Sequence, residues 1–294
     1  MPGWPFQRES LPNNVNKKRF VNLGVRGIFF IALLLITYGI YIEPYQVETH
    51  HIWIHDGYLG RLLGQKVVVQ LSDLHIGKVG RRERAVLRTL ARLRPDFIFL
   101  TGDYVQWNGD YRAAISFLSQ LKATVGIWAV MGDYDYSRFR QSCLFCHEEG
   151  TGTPSRHHLV KFLRNTIEQV NLPGGPLFIG GADMAGEGLL SSAAGSFLRG
   201  VKGPAIVLSH NPLSFEYVND EQKVLLLAGD THGGQIPLPS WLLGILGWEK
   251  NACYSRGLFE QNRKKMFVSR GIGTSHFPIR ILRRPEITVL HFRQ

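Results

Sequence analysis

Residues 66–77 read KVVVQLSDLHIG. The run after Lys66 is uncharged and rich in β-branched valine, as expected of a short strand buried on both faces. The turn that follows delivers Asp73 and His75 at the strand's C-terminal end. The same grammar recurs along the chain. FIFL at 97–100 ends in TGD, IWAVM at 127–131 ends in GDYD, AIVL at 205–208 ends in SHNP, and VLLLA at 224–228 ends in GDTHGG. Helical spacing lies between them at 84–94, through Val86, Leu87, Leu90 and Leu93, and again at 111–121. Helices are also predicted at 158–167 and 189–198, with strands at 177–179, 265–268 and 286–292. Apolar strands alternating with helices predict an α/β core, and ligands in such folds bind at the C-terminal edges of the strands.

Five strand ends carry Asp73, His75, Asp103, Asp133, His210, Asp230 and His232. A single Asp after a strand is ordinarily a helix cap. Capping does not explain Asp or His at all five. Carboxylate and imidazole ligands suit Mn²⁺, Fe, Zn²⁺ or Mg²⁺. Seven ligands are too many for one ion that keeps an open position, and fit two divalent or trivalent ions sharing a carboxylate. Such a pair clamps the attacking and leaving oxygens of a phosphoryl transfer.

The blocks D-x-H at 73–75, G-D at 102–103, G-x-x-D at 132–135, S-H-N-P at 209–212 and G-x-T-H-G-G-Q at 229–235 resemble the calcineurin-like metallophosphoesterase family. The resemblance covers residues 46–294. It implies a four-layer β-sandwich with flanking helices. It also implies that Asp73, His75 and His232 serve one metal, that Asp103 bridges, and that Asp133, His210 and Asp230 serve the other. Two blocks depart from the family pattern. Gly132-Asp133-Tyr134-Asp135 stands where the family has Gly-Asn-His-Asp/Glu, and Gly229-Asp230-Thr231-His232 stands where it has Gly-His-x-His. Each departure puts a carboxylate in place of a neutral ligand, which favours Mn²⁺ or iron over Zn²⁺ and weakens Lewis acidity. Tyr134 is the catalytic candidate, contacting the phosphoryl oxygen or the leaving group. With a reference pKa of about 10 it donates a hydrogen bond but shuttles protons poorly at neutral pH. The implied activity is metal-dependent hydrolysis of a phosphoester or diphosphate, on a small molecule or a lipid. A second reading is a redox or sensor protein on a scaffold that no longer hydrolyses esters.

The N-terminal residues 1–45 read as a unit of their own. Arg8, Lys17, Lys18, Arg19 and Arg26 face only Glu9, and the next 16 residues, 27–42, carry no charge. Val21, Leu23 and Val25 lengthen the apolar run if Arg26 snorkels, and Tyr38, Tyr41 and Tyr45 lie where an aromatic belt would. A buried helix, a cleaved signal and an uncleaved anchor all fit the composition. Residues 37–44 offer no good small-x-small cleavage site, which favours the anchor. The positive-inside rule then places the N-terminus in the cytoplasm. The expectation is a single-pass inner-membrane protein, contacting lipid through this helix, with residues 46–294 in the periplasm.

The chain has 34 Lys and Arg against 23 Asp and Glu, a net charge of +11. That balance suits phosphate-bearing ligands, anionic lipid or nucleic acid, but no nucleic-acid recognition motif is present and none is expected as partner. Hydrophobic residues at 44% exclude a disordered chain, and three cysteines exclude a disulfide scaffold. Two of those cysteines form Cys143-Leu144-Phe145-Cys146-His147, inside a loop at 136–158. This C-x-x-C-H resembles the attachment motif of haem c, with His157, His158 or Met184 as candidate sixth ligands. A redox disulfide, or a zinc site completed by His157, His158 or Cys253, fits the same residues. The stretch WLLGILGW at 241–248 reads as core or as an apolar lip beside the site. Lys78, Arg81, Arg82, Arg84, Arg88, Arg92 and Arg94 read as a solvated helix face or an anion-attracting rim. Family members that act on UDP-diacylglucosamine, a lipid A precursor, make a lipid-linked diphosphate a third reading. Their substrate is cytoplasmic, which opposes the topology above.

Overall fold

The computed structural model describes residues 14–106, 111–135, 158–184, 190–248 and 252–294, with side chains from residue 24 onward. The chain enters through helix α1 (Asn14–Tyr41), turns in a 3-10 segment at Glu43–Tyr45, and continues as β1 (Glu48–His55) and α2 (Gly57–Leu63). Next come β2 (Val68–Leu71), α3 (Arg81–Leu93), β3 (Phe97–Thr101), α4 (Tyr111–Leu118) and β4 (Gly126–Val130). They are followed by β5 (Val160–Phe162), β6 (Thr166–Leu172), β7 (Gly175–Gly181), α5 (Ser192–Gly200) and β8 (Ala205–Leu208). The chain ends with β9 (Val224–Ala228), α6 (Ser240–Ile245), β10 (Gly257–Gln261), β11 (Lys264–Val268) and β12 (Glu286–Arg293).

Two six-stranded sheets form, in the orders β1-β12-β2-β3-β4-β5 and β10-β11-β9-β8-β7-β6. Strands β2 to β5 run parallel, as do β7, β8, β9 and β11. The unbroken apolar runs have a direct cause, because each central strand is covered twice. Along β8, Ile206 and Leu208 face the other sheet while Ala205 and Val207 face the outer helix layer. Phe97, Phe99 and Trp128 meet Ile179, Ile206 and Leu227 between the sheets. Val86, Leu90, Phe117 and Leu118 of α3 and α4 cover the outside of the first sheet, and Ala194 and Leu198 of α5 that of the second. The result is a four-layer mixed α/β fold.

Two expectations fail at the edges. Residues 158–167 were predicted helical, but they hold β5 and the start of β6, which pair with β4 and β7 at sheet borders. Mixed polarity from one-sided exposure imitates helical spacing there. Residues 241–248 are not core. Leu243 is buried, whereas Trp241 is 68% and Ile245 75% exposed.

Helix α1 is long and apolar enough to cross a membrane. Its end is built into the rest of the fold. The Gly39 carbonyl accepts the Arg280 N–H at 2.9 Å. The buried Glu43 carboxylate accepts the backbone N–H of Leu282 at 2.9 Å, and that of Arg283.

Candidate metal centre

The parallel strands place their C-terminal turns side by side. The β2 turn is laced to the β3 turn by Asp73 N–H to Gly102 O at 3.0 Å, His75 N–H to Asp103 O at 2.9 Å, and Ile76 N–H to Tyr104 O at 2.9 Å. Asp73, His75, Asp103, Asp230 and His232 all have φ between 43° and 73°, a left-handed backbone that non-glycine residues adopt at a cost. The tight turns demand glycine at their contacts. Gly102 has φ 94°, and a Cβ there would lie 2.7 Å from His210 Nδ1 and from the Gly132 nitrogen.

The predicted ligands converge. Asp103 Oδ2 lies 3.4 Å from His75 Nε2 and 3.4 Å from His210 Nε2, between the two imidazoles. His210 Nε2 is also 3.3 Å from Asp133 Oδ1. His75 and His232 face each other through Nε2 atoms 3.0 Å apart, with Asp73 Oδ1 3.5 Å from His232 Nε2. Two sets have ligand atoms mutually within 4.8 Å: Asp73, His75 and His232, and Asp73, Asp103 and His210. Asp73 is common to both sets. Asp230 meets Asp73 through its backbone N–H, at 3.0 Å from Oδ1.

The surroundings fix the imidazoles. His210 Nδ1 is 2.7 Å from the Thr101 carbonyl and must donate to it. This leaves Nε2, buried and without a well-formed hydrogen bond, pointing at two carboxylates. Only a proton or a cation satisfies that arrangement, so the donor set fits a metal. Burial pushes Asp73 up to about 6 and Asp103 well above the carboxylate range. Burial also lowers His75 to about 3, with the charge of His210 adding to the effect, and His232 well below the imidazole range, with His75 adding to it. Burial opposes charge on His210 as well, but Asp103 and Asp133 outweigh it and hold His210 well above that range. Desolvated carboxylates beside neutral imidazoles are groups that a dication would relieve.

Residues missed in the sequence complete the site. The buried Asp135 carboxylate accepts N–H bonds from Asp103 and Gly132 at 2.9 Å each, from Tyr104 at 2.9 Å and from Val105 at 3.3 Å. It clamps the turn that carries Asp103. Its place in the G-x-x-D block was visible, but its role was not. Tyr134 donates its backbone N–H to Asp103 Oδ1 at 3.0 Å, stacks edge-on over His75, and sets its hydroxyl 3.2 Å from His276 Nδ1. Burial and the nearby carboxylates raise its phenol to about 12. Arg280 is fully buried and bonds the carbonyls of Arg270, Gly271, Gly273 and Arg283. Neither His276 nor Arg280 belongs to a recognisable block.

Cys143, Cys146, His147 and His157 lie outside the described residues. Of the other residues named with them, His158 and Met184 are buried and Cys253 is exposed. Among the basic residues of 78–94, Arg82 turns inward, pairing with Glu83 and bonding the Leu74 carbonyl at 3.2 Å.

The profile of the calcineurin-like phosphoesterase family matches residues 66–235. The chain is 28% identical to the uncharacterised metallophosphoesterase YkuE of Bacillus subtilis, over 86% of this chain and 87% of that one. It is 26% identical to the UDP-2,3-diacylglucosamine pyrophosphatase LpxG of Chlamydia muridarum, over 76% of this chain and 82% of the relative. It is also 26% identical to a transmembrane protein with a metallophosphoesterase domain from Danio rerio, over 90% of this chain and 61% of the relative.

Proposed function

The chain belongs to the calcineurin-like phosphoesterase family, and from that premise we propose that it hydrolyses a lipid-linked phosphoester or diphosphate as a single-pass membrane protein. The convergence of His75, His210 and Asp103, with one carboxylate oxygen 3.4 Å from both imidazoles, carries the reading. In it, Asp73, His75 and His232 hold one ion, Asp103 is shared, and Asp133, His210 and Asp230 hold the other. Two ions there would neutralise phosphoryl charge and lower the pKa of a water nucleophile. The four Asp ligands keep the preference for Mn²⁺ or iron.

The chain's own groups do the remaining work. Thr101 orients His210 through its carbonyl, and Arg280 backs the His232 ring. Tyr134, protonated at neutral pH, donates a hydrogen bond to the phosphoryl oxygen or the leaving group from its place over His75. Asp135 holds the Asp103 turn in register with its neighbours.

The membrane part rests on α1 and its basic flank, which together favour a cytoplasmic N-terminus and a periplasmic catalytic domain at the inner membrane. The lipid-linked substrate rests on the likeness to a lipid A precursor pyrophosphatase and on the exposed side chains of α6. A covalent haem c at Cys143, Cys146 and His147 rests on the sequence motif alone.

The test uses the full-length chain in neutral detergent, supplied in turn with Mn²⁺, Fe²⁺, Zn²⁺ and Mg²⁺. Phosphodiesters, phosphomonoesters and a lipid-linked diphosphate are offered as substrates. Turnover that disappears in Asp103→Asn is expected. Tight metal binding without turnover of any substrate would sink the hydrolytic reading. A reporter fused to the C-terminus decides the topology. A peroxidase stain after denaturation decides the haem, and a colourless protein from a haem-competent host removes it.

A further inference from the structure

The segment that follows His232 holds a feature for which the metal centre has no use. Arg256 Nη1 donates to the Gly233 carbonyl at 3.3 Å, and Arg283 Nε donates to the same carbonyl at 2.9 Å. Two guanidiniums thus converge one residue from a candidate metal ligand. Among the described residues, neither forms an ion pair with a carboxylate. The nearby Glu43 carboxylate is already occupied by the backbone N–H groups of Leu282 and Arg283. Glu43 offsets only part of the charge, since Arg256 and Arg270 both oppose the charge on Arg283, and a dianion relieves the remaining repulsion.

Beside them lies a cavity of about 150 Å³, lined by Gly233, Gly234, Leu243, Ser255, Arg256 and Arg283. Arg256 and Arg283 give this lining forked donors that match phosphate oxygens. Much of the rest of the lining is apolar, through Ile236, Pro237, Leu238 and Leu243, and the helix that carries Leu243 exposes more apolar surface. Trp241 is 68%, Ile245 75% and Trp248 51% exposed along and after α6, while Leu243 of the same helix turns into the cavity. Leu282, next to Arg283, is 71% exposed. Exposed apolar side chains on the helix that lines a cavity mark a binding surface.

A lining that joins two arginines to apolar side chains selects a molecule with both characters. We infer that this cavity is a phosphate subsite, in which Arg256 and Arg283 hold a phosphate group borne by an amphiphile whose apolar part lies over α6. As the subsite of a substrate it rests on the hydrolytic reading above, whereas as a binding site it stands on its own geometry.

The test reads binding, not turnover. Full-length protein in neutral detergent with Mn²⁺ is titrated with dihexanoyl phosphatidic acid, dihexanoyl phosphatidylcholine and inorganic phosphate, following tryptophan fluorescence. The acid is expected to bind about tenfold more tightly than either of the others. Arg256→Gln is expected to weaken it about tenfold, the loss of one charge-assisted contact. That side chain is exposed and makes a single long hydrogen bond, so the variant keeps its fold, and its melting temperature checks this. Asp103→Asn is expected to leave the affinity unchanged. Equal affinity in wild type and Arg256→Gln, or loss of binding in Asp103→Asn, overturns the subsite. Inorganic phosphate binding as tightly as the acid would assign the cavity to a free anion and remove the lip from the site. Intact binding without any turnover would fail the hydrolytic reading and leave the subsite standing.

Discussion

Arg280 brings its guanidinium Nη2 to 3.4 Å from His232 Nδ1, while its Nε donates to the Gly273 carbonyl at 2.9 Å. The anchored guanidinium backs the His232 ring, whose Nε2 faces His75. Replacing Arg280 by Lys supplies a charge but not the planar fork. Arg280→Lys should therefore weaken metal binding about 10- to 100-fold, the usual effect of losing an outer-shell partner. Competition with a chromophoric chelator measures it, and unchanged affinity in a folded variant would refute the link.

Asp135 binds four backbone N–H groups in the interior. Asp135→Ala strands them, each buried unpaired donor costing about 1–3 kcal/mol. A loss of stability of about 3 kcal/mol or more is expected, read as a fall in the denaturant midpoint. Asp135→Asn keeps one acceptor oxygen and should fall between wild type and Ala.

Metal uptake should release protons. Without metal, burial raises Asp73 to about 6, and the Asp103 and Asp133 carboxylates hold a proton on His210, so protons must leave both groups before they ligate. Metal affinity should rise with pH through about 6. Calorimetry at pH 5.5 in two buffers of different ionisation enthalpy counts the released protons. Identical apparent enthalpies in both would contradict the prediction.

Burial would raise Glu286, but hydrogen bonds from His50 and Arg270 outweigh it and hold the carboxyl at about 2. Its folded pKa lies below its unfolded one of about 4.5. Its contribution, about 3 kcal/mol, is therefore full above pH 4.5 and is lost as pH falls from there toward 2. Urea midpoints across this window should fall in wild type and stay flatter in Glu286→Gln, which starts less stable at neutral pH.

Tyr134→Phe removes the hydroxyl facing His276 while keeping the ring over His75. Turnover should drop about 10- to 100-fold with little change in KM, the mark of an interaction made mainly in the transition state. Because the phenol titrates near 12, the wild-type pH profile should show no limb from Tyr134 below pH 10.

Much of this was legible from the sequence where the physics was local. Residues 205–208 and 224–228 are uninterrupted apolar runs because both faces of β8 and β9 are covered, and their limits agree with the expectation. The ligand candidates stood out because parallel strands bring their turns to one edge. What stayed hidden depended on distant partners. Strand β1 alternates Ile52 and Ile54 with exposed His51, Trp53 and His55, and only its pairing with β12 makes it a strand. The 158–167 segment looked helical until β4 and β7 claimed it. The left-handed backbone at Asp73, His75, Asp103, Asp230 and His232 is imposed by the turns and is not encoded in those residue types. Arg280 and Glu43 gave no signal because their partners are backbone atoms, and those have no sequence signature.

The bond from Arg280 N–H to Gly39 O and the capture of the Leu282 N–H by Glu43 leave the apolar N-terminal helix no slack against the rest of the fold. A domain on a loose leash samples a wide volume and meets its partner at many angles. Here the last turn of α1 is bolted to the loop whose Arg280 steadies His232. Tilting or cutting α1 therefore reaches the metal ligands through the backbone, and the orientation of the centre is set by whatever holds the helix.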